Sequence, residues 1–344
     1  MENPYSLVFG KMPGNYIDRE LELNEIIETY LEQEPSIRAY ALTGLRGCGK
    51  TVALSFVEKY FRKREDFIVI SLNSDLDMFE QTLEHLSQKK LLDELKISVS
   101  VMGITLEKTQ SMESANHKIE QYLECITKKK KRILFTIDEI SNTQNIKAFF
   151  QSFNIWLRKD YDIVILMAGL KKNILSLQKD DRISFLKRAE KKDLKQLSLN
   201  SIMLDYQRNL QLTDKEAGDM ALFTKGYSYA FQVLGYLCFR TKKNYKEVID
   251  QFDEKMTNNV YDIIWEDMSQ KEKEVLQAMF QARELTTREI LRVSQMNKNT
   301  YNEYRRILIS KDILIDKGYG KIDFTLPRFK EIACRNIELG FWTN

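Results

Sequence analysis

One stretch of this sequence constrains the chain more than any other, because it joins a glycine-rich loop to the start of a helix. It runs from Ala39 to Leu54 and reads A-Y-A-L-T-G-L-R-G-C-G-K-T-V-A-L. The spacing GxxxxGK[ST] lets backbone N–H groups surround a phosphate, while the lysine supplies a cation and the threonine a hydroxyl for Mg²⁺. A flexible glycine turn is the alternative, but an apolar run leads into the motif and a helical pattern follows it. The stretch therefore predicts a site for ATP and Mg²⁺.

The motif also names the residues expected at that site. The helix that starts at Lys50 would direct its positive N-terminal end at the phosphates. Lys50 would neutralise the β- and γ-phosphates, and Thr51 would bind Mg²⁺. The residues of this stretch that are predicted to hold the nucleotide are Gly44, Leu45, Arg46, Gly47, Cys48, Gly49, Lys50, Thr51 and Val52.

A second motif lies about 90 residues downstream, where I-L-F-T-I-D-E ends an apolar run in two acids. The run, Ile133 to Glu139, predicts a buried strand. Asp138 is expected to hold Mg²⁺ together with Thr51, and Glu139 to polarise the water that attacks the γ-phosphate. A strand that ends in Asp-Glu is weak by itself. Downstream of a phosphate loop it predicts ATP hydrolysis, with Glu139 and Lys50 as catalytic residues.

The composition argues against several other classes of protein. The 344 residues include 53 Lys plus Arg and 50 Asp plus Glu, so the net charge of +3 indicates no particular partner. The four cysteines lie far apart, without CxxC spacing. The N-terminus lacks the pattern of a signal peptide, and no uncharged apolar run approaches the roughly 18–20 residues that span a bilayer. A cytoplasmic protein with reduced thiols and no membrane partner is expected.

The piece Tyr16-Ile17-Asp18-Arg19-Glu20 precedes a helical pattern upstream of the loop. Together with the two nucleotide motifs it resembles AAA+ ATPases of the origin-recognition initiator type and their archaeal-type relatives, in which a segment like F-V-G-R-E-x-E-L covers adenine. The resemblance implies that Tyr16 and Ile17 pack on the base and that Arg19 braces the loop. Asp18 stands where the family usually has glycine. An ordinary helix start is the alternative.

Residues 1–200 are predicted to form the AAA+ base domain, an α/β fold with a parallel sheet sandwiched by helices. Short apolar, β-branched runs between helical patterns indicate buried parallel strands. The expected strands are Arg38–Thr43, Phe67–Leu72, Ile133–Glu139, Asp162–Gly169 and Lys191–Leu197. Residues 76–130 are expected to contain a mostly helical insertion, with a β-like alternation at 97–101.

Two features bear on turnover and on assembly. In the family a polar sensing residue lies near the end of the fourth strand, where this chain has Ala168 and Gly169, with Asn173 the nearest candidate. Slow hydrolysis is therefore expected. By the same resemblance Arg188 would reach the γ-phosphate on a neighbouring subunit, as a catalytic residue of a homo-oligomer. The alternative for Arg188 is a basic helix end that faces water.

The pattern after residue 200 is helical. Residues 201–265 resemble the lid of the same ATPases, and K-G-Y-S-Y-A-F-Q from Lys225 to Gln232 is similar to their G-x-P-x-x-x-Q segment. The resemblance implies that Tyr227 and Ser228 face the nucleotide base, with Ser228 in place of the proline. Simple packing between helices is the alternative.

Residues 266–344 are predicted to form a winged helix-turn-helix domain. Two capped helices precede a third, Lys298 to Ser310, and a glycine-bearing hairpin follows. From residue 269 onward there are 14 Lys plus Arg and 10 acids. The side chains of the third helix that are expected to contact duplex DNA are Lys298, Asn302, Arg305 and Arg306. Winged helices also bind proteins, so a protein partner stays open.

These expectations combine into an ATP-controlled DNA-binding switch with slow ATPase activity. ATP would bridge base and lid and hold the winged helix in place, and hydrolysis would release that state. The alternative is a signalling or defence ATPase in which ATP drives oligomerisation and the winged helix contacts protein. A small-molecule kinase is disfavoured, because the lid and the winged helix have no role there.

Overall fold

The computed structural model describes most of the chain, and this part divides into two compact units. The described residues are 2–8, 19–94 and 112–342. The sheet unit consists of residues 19–43, 50–94 and 112–194. The helical unit consists of residues 2–8, 44–49 and 195–342. The predicted lid and C-terminal domain both fall within the helical unit, whereas the division of the chain into three domains stays a prediction. The alternation at 97–101 lies outside the described residues.

One parallel sheet forms the centre of the sheet unit. Its strands are β1 (Ala39–Thr43), β2 (Phe67–Asn73), β3 (Arg132–Ile140), β4 (Ile163–Gly169) and β5 (Glu190–Asp193). They lie in the order β2-β3-β4-β1-β5, and all neighbours are parallel. Every residue of β1 and β4 is buried, as expected of central strands with both faces covered. The predicted fold class is confirmed. The fifth strand ends earlier than predicted, because its neighbour β1 ends at Thr43, which pairs with Asp193.

Helices between the strands complete the sheet unit. Those described are α1 (Glu20–Leu31), α2 (Lys50–Phe61), α3 (Met78–Leu86), α4 (Lys89–Glu94), α5 (Met112–Lys128), α6 (Gln144–Arg158), α7 (Lys171–Leu177) and α8 (Ser184–Lys187). The core is strongly aromatic. Phe135 of β3 packs against Phe149, Phe153 and Trp156, which share one face of α6 because they are spaced by three or four residues.

The helical unit continues from the end of the sheet. Its α-helices are α9 (Leu199–Leu210), α10 (Asp214–Thr224), α11 (Ser228–Thr241), α12 (Ile249–Met256), α13 (Asp262–Glu266), α14 (Gln270–Gln281), α15 (Thr287–Ser294), α16 (Lys298–Ser310) and α17 (Phe329–Glu338). A 3₁₀ turn, Tyr245–Val248, precedes α12, and a π-helical turn, Thr257–Tyr261, follows it. The antiparallel hairpin consists of β6 (Leu314–Gly318) and β7 (Lys321–Phe324). Three helices followed by a hairpin is the element order predicted for the C-terminal domain.

Local sequence determines where several of these helices start. Capping boxes open α10, from Thr213 to Glu216, and α14, from Ser269 to Glu272, as predicted. In each box the capping side chain accepts a hydrogen bond from a backbone N–H that the helix leaves unpaired, and the glutamate carboxylate accepts one from the backbone N–H of the capping residue. The third helix of the C-terminal region begins at Lys298, also as predicted, with Asn297 as its cap.

One hydrophobic core runs through the helical unit and includes the N-terminal segment. Tyr5 is buried with its ring against Tyr206 and Phe231, and its hydroxyl donates to Asp205 at 2.9 Å. Gly235 of α11 makes room for this ring, because an added Cβ would lie 2.5 Å from it. No sequence pattern predicted this contact. Within the described residues, no helix combines the length and the apolar character that a bilayer crossing requires.

Candidate nucleotide site and C-terminal interface

The predicted phosphate loop has the backbone that its glycines allow. β1 ends at Thr43 and α2 begins at Lys50, so the loop occupies residues 44–49. Gly44, Gly47 and Gly49 have φ values of 145°, 76° and 97°, a region that L side chains rarely adopt. The N–H of Cys48 donates to the carbonyl oxygen of Leu45 at 3.3 Å and closes the turn. The GxxxxG spacing therefore reflects a backbone requirement.

The carbonyl oxygens of this loop are bound by the turn between α10 and α11, residues 224–229, which we call the lid turn. Tyr227 donates its hydroxyl hydrogen to the carbonyl of Arg46. Ser228 Oγ donates to the carbonyl of Cys48 at 3.0 Å. The N–H of Tyr229 donates to the carbonyl of Gly47 at 3.1 Å. Because a trans peptide unit directs its N–H away from its C=O, the N–H groups of residues 47–49 face away from the lid turn.

The contact between Tyr227 and the loop explains why glycine occupies position 47, where the motif allows any residue. Gly47 occupies a variable position of GxxxxGK, and an added Cβ there would overlap the Tyr227 hydroxyl. Burial raises the pKa of the Tyr227 phenol well above its ordinary value, so the hydroxyl stays protonated and able to donate. The sequence implied that Tyr227 and Ser228 face a base. Both side chains contact the loop backbone, and contact with a base stays a prediction.

The sheet unit carries further predicted nucleotide residues at the start of α2 and at the carboxyl end of β3. Lys50, Thr51 and Val52 form the first turn of α2 and are all partly buried. Thr136 of β3 donates its hydroxyl to Glu58 of α2. Since alternate residues of a strand share a face, Asp138 lies on the face of β3 against which α2 packs. Asp138 and the start of α2 are therefore on the same side of the sheet, as a shared Mg²⁺ site requires.

Glu139 has a strained backbone. Its φ is 51°, which costs of order 1–3 kcal/mol for a residue other than glycine. The register of β3 against β4 shifts between Ile137 and Ile140, so Glu139 lies in a bulge, and it is exposed. Its N–H donates to Asp138 Oδ1 at 2.9 Å. Bulges redirect side chains and recur beside active sites, and this one turns the predicted catalytic carboxylate out of the strand.

The end of β4 supports this bulge. An added Cβ on Gly169 would lie 3.2 Å from the carbonyl oxygen of Ile140, so glycine permits the close approach of the two strands. The side-chain amide of Asn173 donates to the same carbonyl at 2.8 Å. Asn173, the nearest candidate for a sensing residue, thus braces the strand that carries the acids.

Thr51 and Asp138 have the chemistry that Mg²⁺ requires. The ion is usually held by one or two carboxylates together with substrate phosphates and water, and a hydroxyl completes such a set in phosphate loops. A cluster of three or more His, Cys, Asp or Glu side chains that could hold a metal by themselves is not found within the described residues. The roles of Thr51 and Asp138 as Mg²⁺ ligands stay a prediction.

The remaining residues predicted for the site are Tyr16, Ile17, Arg19 and Arg188. Tyr16 and Ile17 lie outside the described residues. Arg19 precedes α1, and its carbonyl accepts a hydrogen bond from the N–H of Leu23 at 3.1 Å. Arg188 is exposed at the end of α8, where its N–H donates to the carbonyl of Phe185 at 3.0 Å. The roles of these four residues stay predictions.

Comparison with known families agrees with the nucleotide motifs. Residues 16–170 match a family model described as an ATPase domain predominantly from Archaea. The chain contains an archaeal-type ATPase domain. Residues 258–331 match a second model, described as a domain of unknown function, DUF8462. No curated protein matches the chain.

Solved structures extend the likeness beyond the archaeal-type ATPase domain. The ORC2 protein of Aeropyrum pernix, solved as ADPNP-ADP complexes, aligns over 98% of both chains with a TM-score of 0.60 at 13% identity. Cdc6p of Pyrobaculum aerophilum aligns over 97% of both chains with a TM-score of 0.51 at 11% identity. At these identities the likeness concerns the fold. The chain therefore shares the fold of these two proteins along nearly its whole length.

Helix α16 of the C-terminal region presents a polar face to solvent. Lys298 and Arg306 are exposed, and Asn302 is partly exposed. A surface cavity of about 460 Å³ is lined by Asn299, Asn302, Glu303, Arg306 and Ile307. Three of the four residues predicted to contact DNA therefore lie on the accessible side of the helix.

Arg305 departs from the prediction that it points outward. Its Nη2 lies 2.7 Å from Asp316 Oδ2 of the hairpin, and only 18% of the side chain is exposed. The arginine side chain is long and flexible, so a guanidinium near the edge of a helix face can turn back to a carboxylate of the hairpin. Arg305 thus fastens α16 to β6.

The tip of the hairpin holds a residue that sequence reasoning missed. Tyr319 is fully exposed and has a φ of 51°, between Gly318 and Gly320. Lys317 and Lys321 flank it and are exposed as well. An aromatic ring between two cations is suited to stack on or wedge against nucleic acid. The signal in the sequence was the piece K-G-Y-G-K in a predicted turn.

Proposed function

We propose that this archaeal-type ATPase binds ATP with Mg²⁺, hydrolyses it slowly, and uses the bound nucleotide to control a C-terminal winged helix that contacts duplex DNA. The phosphates would lie in the loop of residues 44–49, at the N-terminus of α2. The complexes of the A. pernix ORC2 protein with ADPNP and ADP, on the same fold, support the nucleotide part of this proposal.

The residues at the sheet edge have distinct tasks in this proposal. Lys50 neutralises the β- and γ-phosphates, and Thr51 and Asp138 would hold Mg²⁺, which supplies positive charge to the reacting phosphate. Glu139 orients and polarises the attacking water from its bulge. Asn173 is already bonded to Ile140, and β4 ends in Ala168 and Gly169, which supports slow turnover.

The observation that carries the switch is the position of Lys225 in the lid turn. Its Nζ lies 2.8 Å from the carbonyl oxygen of Phe324 and 3.3 Å from Asp323 Oδ1, both in β7. Two residues later the same turn binds the phosphate loop through Tyr227. A change in the loop therefore has a short, bonded route to the hairpin. This is the two-sided contact that a nucleotide-controlled winged helix needs.

A second candidate is a signalling ATPase whose winged helix binds protein. The pairing of Arg305 with Asp316 favours it, because it removes one cation from the face predicted to contact DNA. In this case ATP would control assembly, and Arg188, exposed at the end of α8, would complete the site of a neighbouring subunit.

One experiment separates the two candidates. Retention of a short DNA duplex and the particle mass are measured on the same sample with ATP, with ADP and without nucleotide. DNA retention with ATP but not ADP supports the switch. Assembly with ATP and no DNA binding in any state supports the signalling candidate, and absence of ATP binding overturns both.

A matched pair of variants tests the route through the lid turn. Lys225→Met removes the charge that binds β7, and Lys242→Met is its control, because both lysines end a lid helix with a left-handed backbone. Lys225→Met is expected to bind ATP normally but to lose the difference in DNA retention between ATP and ADP. An undiminished difference would contradict the route.

A further inference from the structure

We propose that Tyr227 and Ser228 are positioning residues that hold the phosphate loop in the form that accepts phosphates, by binding its carbonyl oxygens. The inference rests on the proposed function, since it concerns how that same site binds ATP. It differs from the role implied by resemblance, which is contact with the base.

The pattern of bonds is the first argument. Three consecutive loop carbonyls, those of residues 46, 47 and 48, accept hydrogen bonds from three consecutive residues of the lid turn. Each bond sets the orientation of one peptide unit. The N–H groups of residues 47 and 49 then point to the opposite side of the loop, where a phosphate would lie, while the N–H of Cys48 closes the turn to Leu45.

The orientation of these peptide units determines whether the loop attracts or repels phosphate. A peptide N–H carries a partial positive charge and attracts phosphate, whereas a carbonyl oxygen repels it. Glycines at 47 and 49 let the loop bend but also let its peptide units rotate in the absence of a restraint. By binding the carbonyls, the lid turn removes the orientations that repel phosphate before the nucleotide arrives, so that less free energy is lost on binding.

Contacts on both sides of the lid turn hold it in the position from which it binds the loop. Tyr227 is buried, and Gly47 provides the space for its hydroxyl. Gly226 has a φ of 75°, and an added Cβ there would lie 2.6 Å from the carbonyl oxygen of Leu197. The N–H of Leu197 donates to the carbonyl of Gly226 at 2.7 Å. These contacts hold the turn at one position, so the loop is bound by a rigid element.

The test compares two buried tyrosines of the lid. Tyr227→Phe removes the hydroxyl that binds Arg46. Tyr206→Phe is the control, because the Tyr206 hydroxyl also donates to a buried backbone carbonyl, that of Phe231 at 2.8 Å, away from the loop. Affinities for ATP and for inorganic tripolyphosphate are measured by calorimetry, together with the thermal midpoint of each variant.

We expect Tyr227→Phe to weaken both ligands by about two- to tenfold, the effect of one hydrogen bond. Tyr206→Phe should lower the thermal midpoint without changing either affinity. Ser228→Ala should act like Tyr227→Phe, and Ser228→Thr, which keeps the hydroxyl, should restore binding. The serine pair keeps the test valid if the tyrosine variant unfolds.

The outcomes distinguish this inference from the proposed function. If the unchanged protein binds no ATP, the proposed function fails. If it binds ATP but Tyr227→Phe and Ser228→Ala bind like Tyr206→Phe, the positioning role is overturned. Loss of ATP affinity with unchanged tripolyphosphate affinity would overturn it as well, in favour of contact with the base.

Discussion

The carboxylate of Asp253 binds the guanidinium of Arg328 through two parallel hydrogen bonds, of 2.7 Å to Oδ1 and 2.8 Å to Oδ2. Asp253 lies on α12 of the lid and is only 1% exposed, and Arg328 immediately precedes α17 of the C-terminal region. Arg335 adds a second cation at 3.6 Å. This pair, with the hydrogen bond from the Tyr261 hydroxyl to the carbonyl of Pro327 at 2.5 Å, joins the lid to the C-terminal region.

Asp253→Ala should strongly destabilise the helical unit. Removing Asp253 takes away two charge-assisted hydrogen bonds and leaves the partly exposed guanidinium of Arg328 without this carboxylate, which we expect to cost about 1.5–3 kcal/mol of the free energy of unfolding. Denaturant unfolding measures the loss. Glu254→Ala, which changes an exposed acid on the same helix, is the control and should change the free energy of unfolding by less than about 0.5 kcal/mol. A loss for Asp253→Ala no larger than the control would contradict the prediction.

Lys50→Ala should abolish detectable ATP binding, because it removes the cation for the β- and γ-phosphates at the start of α2. Calorimetry with ATP and Mg²⁺ measures the effect. Lys59→Ala, an exposed lysine at the other end of the same helix, should bind ATP as the unchanged protein does. Equal affinity in the Lys50 variant would place the nucleotide elsewhere.

Glu139→Gln should keep ATP affinity and lose turnover by about 10²–10⁴-fold, since the amide cannot take part in proton transfer from the attacking water. Binding and phosphate release are measured on the same preparation. The exposed Glu124→Gln serves as a control for a general effect of lost charge. Turnover close to that of the unchanged protein would exclude Glu139 as the catalytic carboxylate.

Arg306→Ala and Arg305→Ala should affect DNA binding for different reasons. Arg306 is exposed, so its loss should weaken DNA retention and reduce the salt dependence of binding. Arg305 acts through Asp316, so Arg305→Ala and Asp316→Asn should show the same loss of thermal stability. If Arg305 instead contacts DNA, Asp316→Asn would release it and strengthen retention.

The C-terminal region should lose stability in acid through Glu272. Burial tends to raise the pKa of this carboxyl, but hydrogen bonds from Lys311 and Ser269 outweigh it and hold the pKa below the usual 4.5. A lowered folded pKa contributes stability above pH 4.5 that is lost as the pH falls further. The difference in unfolding free energy between the unchanged protein and Glu272→Gln should therefore hold above pH 4.5 and shrink as the pH falls below 4.5. A constant difference would show that the charge of Glu272 contributes nothing.

Local sequence determined the parts of this protein that depend on neighbours in the chain. The loop glycines, the caps of α10 and α14, the strand runs and the start of α16 at Lys298 follow from backbone conformation and periodicity. Such features need only a few adjacent residues, so their signals survive in a single sequence. The fold class and the two nucleotide motifs were predictable for this reason.

Tertiary structure alone decided which distant side chains meet. Tyr227 and the loop carbonyl of Arg46 are far apart in sequence, as are Tyr5 and Phe231, and no periodicity connects them. The turn of Arg305 toward Asp316 depends on the path of the hairpin, which the helix pattern does not contain. Periodicity predicts which face of a helix or strand is buried, whereas packing across the whole unit decides which residues that face contacts.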